Sequence, residues 1–307
     1  MTKKILITGG AGFIGTNLKN ELRDRGHEVW TLDIKFHHDE KHYRMDIGDY
    51  RQLKEVFDEH DFDYVYNAAA EYGRWNGEDH YENLWKTNAV GTKNILRIQA
   101  DEGFRLIDFS SAEVYGDYAG EIYEEITEEK PFHLLNDYAM SKRVNEMQVK
   151  NAMEKFDSEC VMVRPVNCYG PHEHYSGYRG VIPVFIWKAL NDEPYTVYKG
   201  HKRIFDYVED TARTLANIVD NFHNGEVYNL GGNPDWEITI EELSDIILDY
   251  LDKDDSKVTY KGKEPMTTDV KKINSEKAKE HLDHEPTVPP EEGIARTIDW
   301  FQEEYDL

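Results

Sequence analysis

Short apolar runs recur along the first half of the chain, each followed by sequence of helical character. Lys3–Thr8, Val29–Asp33, Tyr64–Asn67, Arg105–Phe109 and Cys160–Arg164 have the length and the β-branched or aromatic content of buried strands. Between them Thr16–Arg25, Tyr50–Glu59, Tyr81–Asp101 and Asp137–Phe156 read as helices. Strands alternating with helices predict an α/β fold with a doubly wound parallel sheet covered on both faces. Beyond Pro165 the regularity loosens. Glycine, proline and aromatic residues crowd Asn167–Pro183, and shorter helices are expected near Asp210–Phe222, Ile240–Leu251 and Pro290–Glu304. The chain therefore divides into a nucleotide-binding region over residues 1–165 and a smaller lobe over 166–307, some of whose segments return to the sheet. That lobe is expected to close over the carboxyl edge, where ligands of such sheets bind.

The first strand runs into Gly9-Gly-Ala-Gly12-Phe-Ile-Gly15 and then a helix. In that arrangement the free N–H groups of a helix N-terminus hold a pyrophosphate. Gly9 permits the tight turn, Gly12 lets the backbone approach the phosphates, and Gly15 allows the helix to lie close to the strand. The second strand ends in Asp33, about 20 residues after the turn, where a ribose 2′-hydroxyl is bound. A carboxylate there repels a 2′-phosphate and no arginine follows it, so NAD is expected rather than NADP. Downstream, Tyr138 and Lys142 are spaced i, i+4 and share one helix face. A nearby cation favours a phenolate; bringing a tyrosine from about 10 to about 7 takes roughly 4 kcal/mol.

Composition narrows the alternatives. The 61 acidic residues against 36 basic ones give a formal charge of −25, opposite to the basic footprint that nucleic acid requires. No apolar run has the length of a membrane span, and the N-terminus enters a strand at once, so neither a membrane segment nor a signal peptide is expected. Cys160 and Cys168 have no metal-ligand spacing, so no metal is expected, and a reducing, cytoplasmic setting fits them.

Taken in order, Thr8–Gly15, Asp33, Asp46-Ile47, Asn67–Glu71, Asn88 with Gly91-Thr92, Ser110–Gly116, Tyr138–Lys142, Arg164–Pro171 and Arg203–Asp210 resemble the extended short-chain dehydrogenase/reductase family. The likeness is to its NAD-dependent nucleotide-sugar epimerase/dehydratase branch and runs nearly the whole chain. It implies a Rossmann-type sheet and an enzyme whose tyrosine takes the C4 hydroxyl proton while C4 hydride passes to the nicotinamide. Tyr138 matches that base, Lys142 the lysine that binds the nicotinamide ribose, and Ser111 the hydroxyl that orients the substrate. Gly9, Gly12, Phe13, Ile14 and Gly15 match the diphosphate loop, and Asp46 and Ile47 the adenine contacts. Ala69, Ala70 and Pro165 match positions lining the dinucleotide. Asn167 and Arg203 match positions that hold the substrate diphosphate, and Glu71 echoes a stretch common in the dehydratases. The resemblance also implies a homodimer, built on the helices at Tyr81–Asp101 and Asp137–Phe156. Leu84, Trp85, Val90, Ile95, Ile98, Met140, Val144, Met147 and Val149 would offer its apolar surface.

The net reaction is a branch point. Family dehydratases carry an Asp-Glu pair after the serine or threonine, and this chain has Ala112-Glu113. Glu113 is the candidate C5 base, but the partner acid is missing. A 4-epimerase needs neither group, so the reading tilts to sugar 4-epimerase, with 4,6-dehydratase as the alternative. Decarboxylase, net 4-dehydrogenase and a non-catalytic dinucleotide sensor stay open. The intact Ser111, Tyr138 and Lys142 count against the sensor. Two departures concern the sugar: no arginine occurs near Glu264–Asp269, where relatives clamp the diphosphate, and Tyr72–His80 is unusually aromatic and charged.

Overall fold

The computed structural model describes residues 1–264 and 271–307, so most of the Glu264–Asp269 stretch lies outside the described residues. Seven strands make one parallel sheet: β1 (Lys4–Thr8), β2 (Glu28–Asp33), β3 (His42–Arg44), β4 (Tyr64–Asn67), β5 (Arg105–Phe109), β6 (Cys160–Pro165) and β7 (Val227–Leu230). Their spatial order is β7-β6-β5-β4-β1-β2-β3. The winding reverses between β1 and β4, whose register pairs Thr8 with Asn67. There the connecting loops part, and a ligand can enter.

Alternation along β1 sends Ile5 and Ile7 to one face and Leu6 to the other. Ile5 and Ile7 join a core with Leu18 and Leu22 of α1 (Phe13–Asp24), while Leu6 packs with Leu53, Val56 and Phe57 of α2 (Tyr50–Glu59). The chain after β4 forms α3 (Arg74–Asp79), α4 (Tyr81–Trp85) and α5 (Thr92–Glu102), and α6 (Asp137–Phe156) packs beside α5. A third core belongs to the C-terminal lobe. It brings together α7 (Val181–Leu190), α9 (Ile240–Tyr250) and α11 (Pro290–Tyr305), while α8 (Val208–Asn217) and α10 (Glu276–Leu282) cover the sheet.

The first helix starts at Phe13 rather than Thr16, because Gly12 takes extended backbone as its N-cap and the helix begins inside the glycine turn. The expected helix over Tyr81–Asp101 is interrupted by a π-helical segment, Lys86–Gly91, which rotates Asn88 to the inside, where it is 1% exposed. Strands β3 and β7 and helices α7 and α10 were not expected from the pattern. In α7 the nearly continuous apolar run hides any period, and Pro183 is tolerated in its first turn. Of the apolar side chains expected to be spare on α4 to α6 and the π-helical segment, Leu84, Ile95, Ile98 and Val149 are buried within the chain; Val90, Met140 and Met147 are exposed. No helix among the described residues is long and apolar enough to cross a membrane.

Candidate active site

The glycine turn lies at the switch point. Gly9 takes φ +69°, and a Cβ there would stand 2.8 Å from the Ala69 nitrogen, so the β1 and β4 loops touch. A Cβ on Gly15 would stand 2.2 Å from the Gly9 carbonyl, which fixes α1 against the turn. Phe13 and Ile14 tuck into the protein below. The result is a backbone cradle at a helix N-terminus that side chains would fill, as an anion site requires. Ala69 donates its N–H to Thr8 Oγ1 at 3.1 Å, and Ala70 follows it along the rim. Asp33 closes β2 and accepts from the N–H groups of Ala11 (3.1 Å) and Lys35 (3.0 Å). The sheet register sets Arg44 of β3 opposite Asp33, exposed, with its Nε on the Ile34 carbonyl. A scan for an arginine close after Asp33 misses it because β3 brings it from further along. Ile47 is buried, and the Asp46 carboxylate is taken by Lys86 Nζ and the Gly48 N–H, both at 2.7 Å.

Tyr138 and Lys142 lie in the first turns of α6, which Asn136 caps by accepting from the Ala139 N–H. Both are buried, at 5% and 3% exposure. Burial pushes the Tyr138 phenol well above its ordinary value; Tyr72 and Glu113 add to this, while Ser111 beside it and Arg179 oppose it. Lys142 is not bonded to the phenol. Its Nζ lies 5.9 Å from the Tyr138 ring centre and donates to the Phe109 carbonyl at 2.6 Å. Burial lowers the ammonium to about 8, and Asp108 holds it up. Asp108, wholly buried on β5, accepts from Asn67 Nδ2 at 2.8 Å through one oxygen, and its other oxygen has no partner among the described residues. The site thus sets a phenol that burial keeps protonated beside an ammonium whose charge burial opposes.

Ser111 N-caps the short helix Ala112–Tyr115 by accepting from the Glu113 N–H at 3.2 Å, which turns Glu113 into the same space. Glu113 pairs with Lys271 at 2.7 Å. Burial raises the Glu113 carboxyl, but Lys271, helped by Arg74, outweighs it and holds the group below its usual range. Lys271 lies 158 residues away in the C-terminal lobe, so the sequence alone gives no reason to single it out. Glu71 is fixed by Asn88, which accepts from its N–H at 2.9 Å and donates to its carbonyl at 3.1 Å; Asn76 holds its carboxylate. Tyr72 covers Tyr138 edge-on, 5.5 Å between ring centres. On the lobe side Pro165 ends β6, and Asn167, exposed with φ +46°, donates to the Ile204 carbonyl next to Arg203. Asn167 and Arg203 thus stand on adjoining segments at one edge. A base within reach of a hydroxyl, a buried cation and a phosphate cradle can support abstraction of a proton from an alcohol whose hydride leaves.

The family described as NAD dependent epimerase/dehydratase matches residues 5–231. A UDP-N-acetyl-alpha-D-glucosaminuronate decarboxylase of Bacillus cytotoxicus is 31% identical over 99% of both chains. A dTDP-glucose 4,6-dehydratase of Xanthomonas campestris pv. campestris is 30% identical over 96% of this chain and 92% of that protein. Among solved structures, a UDP-glucose 4-epimerase of Thermotoga maritima with UDP-glucose superposes with a TM-score of 0.89, at 25% identity over 98% of this chain and 99% of that one. These relatives are named for three different net reactions.

Proposed function

This chain belongs to the NAD dependent epimerase/dehydratase family, and from that premise we propose that it oxidises C4 of a nucleoside-diphosphate sugar and inverts that carbon. NAD, when bound in the cradle of Gly9, Gly12 and Gly15, supplies the hydride acceptor and donor. Tyr138 is the group that takes the C4 hydroxyl proton and later returns it. Ser111 holds that hydroxyl in line with the phenol, and Lys142 offsets the phenolate charge from within the buried pocket. Glu71, fixed by Asn88, lines the sugar, while Asn167 and Arg203 grip the diphosphate about which the keto sugar turns.

The observation that carries inversion over elimination is the Glu113–Lys271 ion pair, together with Ala112 in the neighbouring position. Elimination needs a C5 base and an acid for the leaving C6 hydroxyl. A carboxylate stabilised by a lysine at 2.7 Å is a weakened base, and alanine supplies no acid. Dehydration is the second reading, favoured by the place of Glu113 beside Ser111 and within electrostatic reach of the Tyr138 phenol.

Turnover in deuterium oxide separates them, with Glu113→Gln as the variant. Inversion predicts a C4 epimer without deuterium on carbon and a loss of no more than a few-fold in the variant. Deuterium at C5 or C6 of a deoxy product, with the variant slowed about 10²–10⁴-fold, would replace this reading by dehydration.

A further inference from the structure

Residues 170–180 lie between β6 and α7 and contact α3 and its flanking residues. Tyr178 donates to Asp79 Oδ2 at 3.0 Å and meets the His80 ring edge-on, and a Cβ on Gly73 would stand 2.7 Å from the Tyr178 carbonyl. These contacts hold Arg179 over the Tyr72 ring, 5.5 Å from its centre, and Tyr138 meets the same ring edge-on. Its charge reaches the Tyr138 phenol. Among the described residues the half-buried Arg179 guanidinium makes neither hydrogen bond nor ion pair and rests on the Tyr72 ring.

Two other cations of the site are paired, Lys271 with Glu113 at 2.7 Å and Arg74 with Glu264 at 3.2 Å, and Lys142 donates to the Phe109 carbonyl. The acid near Arg179 is Glu173, 4% exposed and, among the described residues, likewise without a hydrogen bond on its carboxyl. Burial pushes that carboxyl up to about 7 against the opposing charge of Arg179, and no hydrogen bond ties the two side chains together. A half-buried guanidinium that no acid of the described residues bonds can take an anionic group from outside the chain.

We propose that Arg179, with Tyr72 as its floor, is a subsite for a carboxylate, and that the substrate is a nucleoside-diphosphate uronic acid. This rests on the reading that C4 is oxidised at Tyr138. The diphosphate lies at the other end of the sugar, by Asn167 and Arg203, so the second negative charge is at C6, two bonds from C4. A planar fork fits a carboxylate through paired, charge-assisted hydrogen bonds. The same contact bears on the outcome. Oxidation at C4 makes a β-keto acid, which loses CO2 when the C5–C6 bond breaks and its electron pair passes to the C4 carbonyl oxygen, C5 later taking a proton. Arg179 stabilises the intact carboxylate more than a transition state from which that charge has moved, and so opposes this loss.

The test compares UDP-glucuronic acid with UDP-glucose, and the matching thymidine diphosphate pair, on NAD-loaded protein and on Arg179→Met, with products read by NMR. The acid is expected to be favoured in kcat/KM by about 10–100-fold, the effect of a desolvated charge-assisted bond. That ratio should collapse in the variant, and Arg179→Lys should keep part of it; unchanged NAD affinity certifies the fold. Equal use of acid and alcohol by the wild type, or a ratio unmoved in Arg179→Met, overturns the subsite. If neither sugar turns over, the C4 reading fails, and calorimetric affinity for the acid over the alcohol still decides the subsite by the same ratio. A pentose product with CO2 overturns inversion and leaves the carboxylate subsite standing.

Discussion

Lys142 is an ammonium that the fold holds at a cost, and the size of that cost sets a measurement. Burial at 3% exposure brings it from 10.5 to about 8, against the support of Asp108. The lysine of the unfolded chain keeps its proton up to about 10.5, whereas the folded one releases it near 8. Between those values the unfolded state binds more protons, so the contribution of this residue to stability rises with pH. A gap of about 2.5 units at 1.36 kcal/mol each makes the full change about 3 kcal/mol. The perturbation is Lys142→Met in cofactor-free protein, compared with wild type by urea unfolding followed through tryptophan fluorescence at several pH values. Other groups titrate over the same range, and those not coupled to Lys142 cancel in the difference between the two proteins; Asp108, coupled to it, is raised further in the variant. The Phe109 carbonyl left without its donor shifts the variant by a constant, about 1–3 kcal/mol, and drops out of the pH dependence. Wild type is therefore expected to gain about 3 kcal/mol on the variant between roughly pH 7.5 and pH 10.5, while the variant has lost turnover. A difference that stays flat, or falls, across that interval would refute the claim that a desolvated cation is stored under Tyr138.

Three further outcomes rest on the same geometry. Tyr138→Phe should bind NAD with unchanged affinity and turn over about 10²–10⁴-fold more slowly; a rate within tenfold of wild type would remove it from the base role. Asp33→Ala should raise affinity for NADP relative to NAD, since the carboxylate goes and Arg44 stands opposite on β3 to meet the phosphate; equal wild-type dissociation constants for the two cofactors would contradict the premise. We propose a homodimer through α5, α6 and the π-helical segment before α5, where Met147 of α6 is 61% exposed and Val90 of that segment 49%, so light scattering should give twice the chain mass and Met147→Glu should shift it to the monomer; a monomeric wild type at micromolar concentration would end the proposal.

The features legible in the sequence are those the chain keeps local. The glycine turn works through backbone crowding within a few residues, since a Cβ on Gly15 would stand 2.2 Å from the Gly9 carbonyl, and Tyr138 and Lys142 share a face by helical spacing alone. The central strands announce themselves because each is buried on both sides. Partners set by the sheet and the second lobe leave no such mark. Arg44 becomes the neighbour of Asp33 only because β3 adds to β2, and Lys271 meets Glu113 only because the lobe folds back on the sheet. The π-helical segment at Lys86–Gly91 adds nothing to the hydrophobic pattern, yet it turns Asn88 inward to hold Glu71. This division falls along the chemistry. The groups proposed for the C4 step are local and legible, whereas the charges that would choose the fate of the keto sugar arrive through tertiary structure. The pairing of Glu113 with Lys271 joins distant residues, Arg179 is borne on a loop, and relatives near 30% identity are named for different net reactions. If these charges set the net reaction, as proposed, substitutions at Lys271 and Arg179 should redirect the keto sugar more readily than any change in the glycine turn.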